Sequence, residues 1–488
     1  VRECLRRGSR GGAAMRAELV FTTGVGVLAA VGLAMAVGFG LIAGHIAVLF
    51  VLSCAIAYLI GRRVALPEER RWLPALLLWA MVAKLIGASF RYWLLFSIYG
   101  GTGDAVEYHR AGTQMAHMFR ELSVPAVDTV PITGSFGTKL VAWITGLVYT
   151  PFEQSILGGF WLFSVLAFIG QVFLYLAFRN TAAVPGWRRY ALVVFFWPTL
   201  LYWPSSIGKE AVIIFFMGIA AWGASHLYRR FRFAWLIPLG ASVAGIGLIR
   251  IHVAALLVGS ILIGAVFARG PRGFAAGLRR FGMVALGLAA MVPLASGVAQ
   301  EFGVALQGSL SIESLEPAFD DISTRTEEGG SAVSEGIITS PADIPNGILK
   351  VVFRPLPNEI SNIQTAAAAF EGTLLIALIL WRLPALVRNA GRLRTPYMLM
   401  SFVYISGFIF AWSAISNLGI IARQRSLVIP FILALVVGLG WRDSLDVRPG
   451  AVLERRLTDP GIRAGAAGRP LPSEDPLVSA SGTSESHR

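Results

Sequence analysis

The chain alternates uncharged runs of about twenty mostly apolar residues with short connectors that carry arginine, and a helix of that length spans a bilayer. Only 14% of the 488 residues are charged and 55% are hydrophobic, where a soluble globule carries about a quarter charged. The formal charge of +14 points in a soluble protein to nucleic acid. Here the cations sit in loops between apolar runs, so they report topology, with membrane lipids and no nucleic acid as partners.

Applying span length and the cytoplasmic excess of Arg and Lys together predicts an all-α polytopic membrane protein of about 12 transmembrane helices. Residues 1–18 form a basic cytoplasmic N-terminus, and residues 19–71 a transmembrane hairpin with spans at 19–39 and 41–60. Residues 72–441 form the transmembrane core with long outer loops at 100–137 and 301–371, and residues 442–488 a disordered cytoplasmic tail. Within the core the third span covers 72–99 and the fourth 156–178, with 141–150 too short to cross. A fifth span, short and Pro-punctuated (Pro198, Pro204), leads to an outer turn at 205–209, and spans six to nine run from there to about residue 299 with a further outer turn at Arg250-Ile251-His252. The tenth to twelfth end at Trp441, with the last outer turn at 416–426. Both termini are then cytoplasmic. Lysine occurs only at positions 84, 139, 209 and 350 amid many Arg, Ala and Gly residues, a coding bias that suggests a GC-rich bacterium and hence its inner (plasma) membrane. Cys4 and Cys54 imply no disulfide framework, and no internal repeat divides the spans into matching halves.

The loop 100–137 is the first long polar interruption. Tyr108, Ala111, Met115, Phe119 and Leu122 fall on one helical face, with Glu107, Arg110, Gln114, His117 and Glu121 around the other. This spacing predicts an interfacial amphipathic helix. Asp104 and Glu107 have the spacing of a capping box, so Asp104 is either a helix cap or a carboxylate available for chemistry. Lys209, Arg250, Arg423 and Arg425 lie on the outer side, where cations are unusual. A phosphate at that depth accounts for them. The competing structural readings are an exposed Lys209–Glu210 pair, snorkelling of Arg250 and headgroup contact by Arg423 and Arg425. Lys84 and Arg91 share one face of the third span and read as structural; Trp197, Tyr202 and Trp203 read as an aromatic belt. His109 and His117 are a weak metal signal. A divalent ion held by carboxylates is the one cofactor left open, without assigned ligands.

In its architecture over residues 72–441 the chain resembles the GT-C superfamily of integral-membrane glycosyltransferases, which take a sugar from a polyprenyl-linked carrier. The matching stretches are GTGDAVEYHRAG at 101–112, WPSSIGKEA at 203–211 and NLGIIARQRSLVIP at 417–430. In the superfamily the acidic loop follows the first span, whereas here two further spans precede it. The chain is also similar to bacterial polysaccharide polymerases, whose outer-face arginines hold a lipid diphosphate. The resemblance implies Asp104 and Glu107 as catalytic carboxylates, and Lys209, Arg250, His252, Arg423 and Arg425 around the donor phosphate. It implies Tyr108, His109 and Arg110 near the acceptor, and a polyprenyl-linked sugar as partner. A repeat-unit polymerase and a transporter or lipid-linked-glycan flippase are the alternatives.

Overall fold

A computed structural model describes residues 44–152, 154–181, 186–267, 274–302, 323–324 and 337–441. The expected first span, much of the 301–371 segment and the 442–488 tail lie outside these residues.

The described chain is helical and holds no strand. In order it forms α1 (Gly44–Val64), α2 (Leu73–Ser97), α3 (Asp104–Arg120), α4 (Phe136–Tyr149), α5 (Ile156–Arg179), α6 (Trp187–Phe196), α7 (Pro198–Tyr202) and α8 (Lys209–Arg229). There follow α9 (Leu236–Ile249), α10 (Ile251–Phe267), α11 (Phe274–Phe302), α12 (Ile344–Ile348), α13 (Ile363–Arg388), α14 (Pro396–Ser413), α15 (Leu418–Gln424) and α16 (Ile429–Gly440). Side-chain caps mark several starts: Ser155 Oγ accepts from Gly158 N at 3.0 Å, and Asn417 Oδ1 accepts from Gly419 N at 2.9 Å and Ile420 N at 3.2 Å.

Helices α5 and α8 form the centre. Their backbones touch through glycine: a Cβ on Gly218 would lie 2.1 Å from Gly170 O, and one on Gly170 2.3 Å from Ile214 O. Small residues permit such approach where lipid supplies no hydrophobic drive between helices.

Seven helices among the described residues are long and apolar enough to cross a membrane, or eight if α15 and α16, bent by 57°, make one span. Of the twelve expected spans, the first lies outside the described residues, and three others form helices shorter than a span for local reasons. Pro198 forces Trp197 into extended backbone (φ −67°, ψ 130°), so the expected fifth span divides into α6 and α7, of 10 and 5 residues. Arg250 interrupts a later apolar run, leaving α9 and α10 with 14 and 17 residues.

The two cations within α2 serve the break at α7. A five-residue helix leaves its last carbonyls without intrahelical partners. Lys84 Nζ donates to Leu200 O at 2.7 Å, and Arg91 Nη1 donates to Tyr202 O at 3.2 Å and also to Trp203 O. The structural reading of this pair holds, with carbonyls rather than carboxylates as the partners. At the other end of α2, buried Glu69 accepts from Tyr175 OH at 2.8 Å, from Leu66 N at 2.9 Å and from Arg179.

Candidate functional site

Helix α3 forms within the expected loop, and its apolar face is buried at Tyr108, Ala111, Met115 and Ala116. That face seats on α4. A Cβ on Gly146 would lie 2.4 Å from Met115 Cβ, and one on Gly112 2.5 Å from Thr145 Cγ2, so α3 and α4 close as a tight hairpin. Arg120 in the last turn of α3 donates to carbonyls at the end of α4, to Tyr149 O at 3.0 Å and Thr150 O at 3.0 Å. Leu122 does not continue the apolar face. It is 91% exposed with φ 57° and follows the C-cap residue Glu121. Ser123 N bonds Met118 O at 3.0 Å and Leu122 N bonds Phe119 O at 3.1 Å, the double closure of a Schellman motif.

The capping-box reading of Asp104 does not hold. The N-cap is Gly103, no side chain caps the helix, and Asp104 is its first residue. Its Oδ2 instead accepts from Arg423 Nη1 at 2.9 Å across 319 positions of sequence. Arg423 Nη2 lies 2.9 Å from Glu210 Oε2, and Arg250 Nη2 lies 3.3 Å from Glu210 Oε1. Gln424 ties the group together, donating to Glu210 Oε1 at 3.4 Å and accepting from Arg250 Nη1. Lys209 feels the charges of Arg250, Glu210, Arg423 and Asp104, yet its ammonium has no hydrogen-bond or ion-pair partner among the described residues.

Helix ends thus bring Asp104, Lys209, Arg250 and Arg423 together. Beside them lies a cavity of about 270 Å³ lined by Arg91, Asp104, Tyr202, Gln364 and Arg423 among others. The Arg91 guanidinium lies over the Tyr202 and Trp203 rings, 5.4 and 5.2 Å from their centroids. These aromatics therefore serve a cation as well as an interfacial belt. Tyr108 packs under Asp104; burial, reinforced by the Asp104 charge, pushes its phenol up to about 12, so it stays protonated at neutral pH.

Other expected site residues fall elsewhere. Arg425 leaves the group: it is 1% exposed, and it donates from Nε to Val351 O at 3.3 Å and from Nη2 to Arg354 O. Residues two apart on a helical turn face different ways, which separates it from Arg423. His252 sits at the margin, its Nδ1 3.1 Å from Glu301 Oε2. His109 Nδ1 lies 2.9 Å from Tyr149 OH, and burial, with Arg110 second, holds its imidazole below the usual value. Glu107, Arg110 and His117 are exposed. Arg250 does not snorkel outward, since it turns in to Glu210 and Gln424. Glu210 is not half of an exposed pair with Lys209, since it is 1% exposed and binds two guanidiniums. Among the described residues no three His, Cys, Asp or Glu side chains gather as metal ligands.

Sequence reasoning left Glu210, Arg91, Gln424 and Gln364 out of the site. The available signal for Glu210 was an acidic residue at the start of an apolar span, where an uncompensated carboxylate is costly. Compared with protein-family models, with curated proteins and with solved structures, the chain matches none.

Four cations, Arg91, Lys209, Arg250 and Arg423, surround two carboxylates, Asp104 and Glu210. The group therefore carries a formal excess of two positive charges, and the Asp104 side chain is its exposed member.

Proposed function

We propose that this protein is a membrane glycosyltransferase that moves a sugar from a polyprenyl-phosphate or -diphosphate carrier to a cell-envelope glycan, lipid or protein acceptor. In this reading the Asp104 cavity opens on the outer face of a bacterial inner membrane, both termini are cytoplasmic, and the counted helices belong to a twelve-span chain. The observation that carries it is that Asp104 does not cap α3 and instead lines a cavity with Arg91 and Arg423.

The chemistry follows from the charges. An acceptor hydroxyl attacks the anomeric carbon while the carrier phosphate departs with the bonding electrons. Asp104, at the cavity mouth, takes the hydroxyl proton. Arg423 and Arg91, with Lys209 and Arg250 behind, stabilise the negative charge growing on the phosphate. The arginine-rich ends of the helices, at 62–71, 179–189, 229–232 and 382–394, support a cytoplasmic placement of the opposite face. Polar groups gathered at one end favour surface chemistry over transport, which calls for ionisable groups at the midplane.

One observation favours a repeat-unit polymerase as the second reading: the cations exceed the carboxylates by enough charge to suit a diphosphate. The deciding experiment incubates purified protein in nanodiscs with radiolabelled polyprenyl-phosphate and polyprenyl-diphosphate sugars and a bacterial lipid extract. Transfer by the wild type, lost in Asp104→Asn, is expected. Full transfer by Asp104→Asn refutes the base assignment, and joining of diphosphate-linked donors to one another into longer lipid-linked chains selects the polymerase.

A further inference from the structure

Arg423 holds two carboxylates in unlike surroundings. Glu210, its side chain 2% exposed, is also held by Arg250 and Gln424. Asp104, its side chain 59% exposed, has Arg423 as its hydrogen-bonding partner. Buried pairs resist separation, and exposed ones contribute little and exchange readily. One arm of the guanidinium is therefore anchored and the other is labile. Arg423 Nε is buried with no acceptor, and Lys209 has no partner among the described residues. The site is short of negative charge even with Asp104 in place. Asp104 and Arg423 both line the 270 Å³ cavity, so an anion entering it competes with Asp104 for the Arg423 guanidinium.

We propose that Arg423 is a shared counter-ion that exchanges Asp104 for an anionic group of the ligand, freeing Asp104 as a proton acceptor only when an anion is bound. This rests on the reading of Asp104 as the base and adds a specificity rule to it. A ligand carrying phosphate or diphosphate beside Arg423 releases the carboxylate, and a neutral glycolipid leaves it paired. In the step itself the acceptor oxygen bonds the anomeric carbon and its proton passes to Asp104. The bond from that carbon to the carrier oxygen breaks, and its electron pair stays on the phosphate that Arg423 now faces. Arg423 keeps its contact to Glu210 throughout, which makes Glu210 a positioning residue.

The test measures binding of inorganic diphosphate to the full chain in detergent by calorimetry at fixed ionic strength, which needs no turnover. Asp104→Asn removes the competitor and is expected to tighten binding about fivefold, the upper range for an exposed pair. Arg423→Gln is expected to lose binding. Glu107→Gln, which removes an equal charge one turn away without a competing contact, is expected to change it less than about twofold. Equal tightening by Glu107→Gln overturns the exchange, because general charge then explains it. So does unchanged binding in Asp104→Asn with loss in Arg423→Gln, which leaves the phosphate site standing. Absence of binding in both wild type and Asp104→Asn overturns the exchange and the phosphate assignment together. A thermal melt of each variant separates lost binding from lost folding.

Discussion

Replacing Glu210 by Gln and Asp104 by Asn separates the two halves of the Arg423 network, and the structure sets different magnitudes for each. Glu210 is 1% exposed and compensates two guanidiniums, at 2.9 and 3.3 Å. Gln keeps the volume and one acceptor but removes the charge, leaving Arg250 without its carboxylate and Arg423 with only the exposed Asp104. Breaking a buried pair from one side costs about 3–5 kcal/mol. The Asp104 side chain is 59% exposed, and an exposed pair contributes about 0–1 kcal/mol. Asp104→Asn therefore leaves the apparent unfolding free energy, followed by tryptophan fluorescence in an SDS titration, within about 1 kcal/mol of wild type. Glu210→Gln lowers it by about 3 kcal/mol or more. The double variant Glu210→Gln/Arg250→Gln loses less than the sum of the singles, because removing the partner relieves the uncompensated charge. Equal losses in Asp104→Asn and Glu210→Gln, or strict additivity in the double variant, would show that the division between an anchored and a labile arm is wrong.

Three further outcomes rest on the geometry. Gly146→Ala puts a Cβ 2.4 Å from Met115 Cβ; it is expected to cost about 1–3 kcal/mol of stability and to lower transfer by displacing α3 and Asp104, with both read in the same preparation. Leu122→Gly relieves a left-handed residue whose side chain is 91% exposed and is expected to add about 1 kcal/mol with transfer unchanged, so a destabilised variant contradicts it. Burial, with Arg354 second, pulls the Lys350 ammonium from 10.5 to about 8, so between those values the unfolded chain binds more protons than the folded one. Stability then rises with pH across about 8 to 10.5 on account of this group; Lys350→Met is expected to flatten that slope, and an unaltered slope refutes the assignment.

How much the sequence disclosed depends on the range of each signal. Hydropathy and arginine placement are local, and they located the long apolar helices that the structure holds between 44 and 441, but not the short helix α12. They also placed a turn at Arg250 and a short, Pro-punctuated stretch at Pro198; what they did not give is how short the flanking helices are, at 14 and 17 residues around Arg250 and 10 and 5 around Trp197, because window hydropathy averages over a break. Asp104, Lys209, Arg250 and Arg423 were legible as polar groups at the ends of apolar runs, since membrane burial makes such residues costly unless they have a use. Their partners were not legible. The contact from Asp104 to Arg423 spans 319 positions, and that from Glu210 to Gln424 spans 214. Arg423 and Arg425 look equivalent in Arg-Gln-Arg, and only the turn geometry sends one to the cavity and the other to backbone carbonyls.

On the proposed function, stability and chemistry meet at Arg423 because the two demands fall on different nitrogens. A cation that must stabilise a departing phosphate needs to be charged, in place and incompletely satisfied. A guanidinium that faces a second one, as Arg423 faces Arg250, is costly to keep without a carboxylate between them, and one fully enclosed by carboxylates has nothing left to offer an incoming anion. Glu210 meets the first demand with Nη2, and its own charge is shared with Arg250, which keeps the pair fixed from two sides. Asp104 meets the second with Nη1 from the start of a helix held in position by the Gly112–Gly146 contact. A shift of α3 lengthens the Asp104 contact without disturbing Glu210. The α3–α4 hairpin therefore sets how firmly Asp104 competes with an arriving anion, while the α8 end that carries Glu210 sets whether Arg423 is there to be competed for.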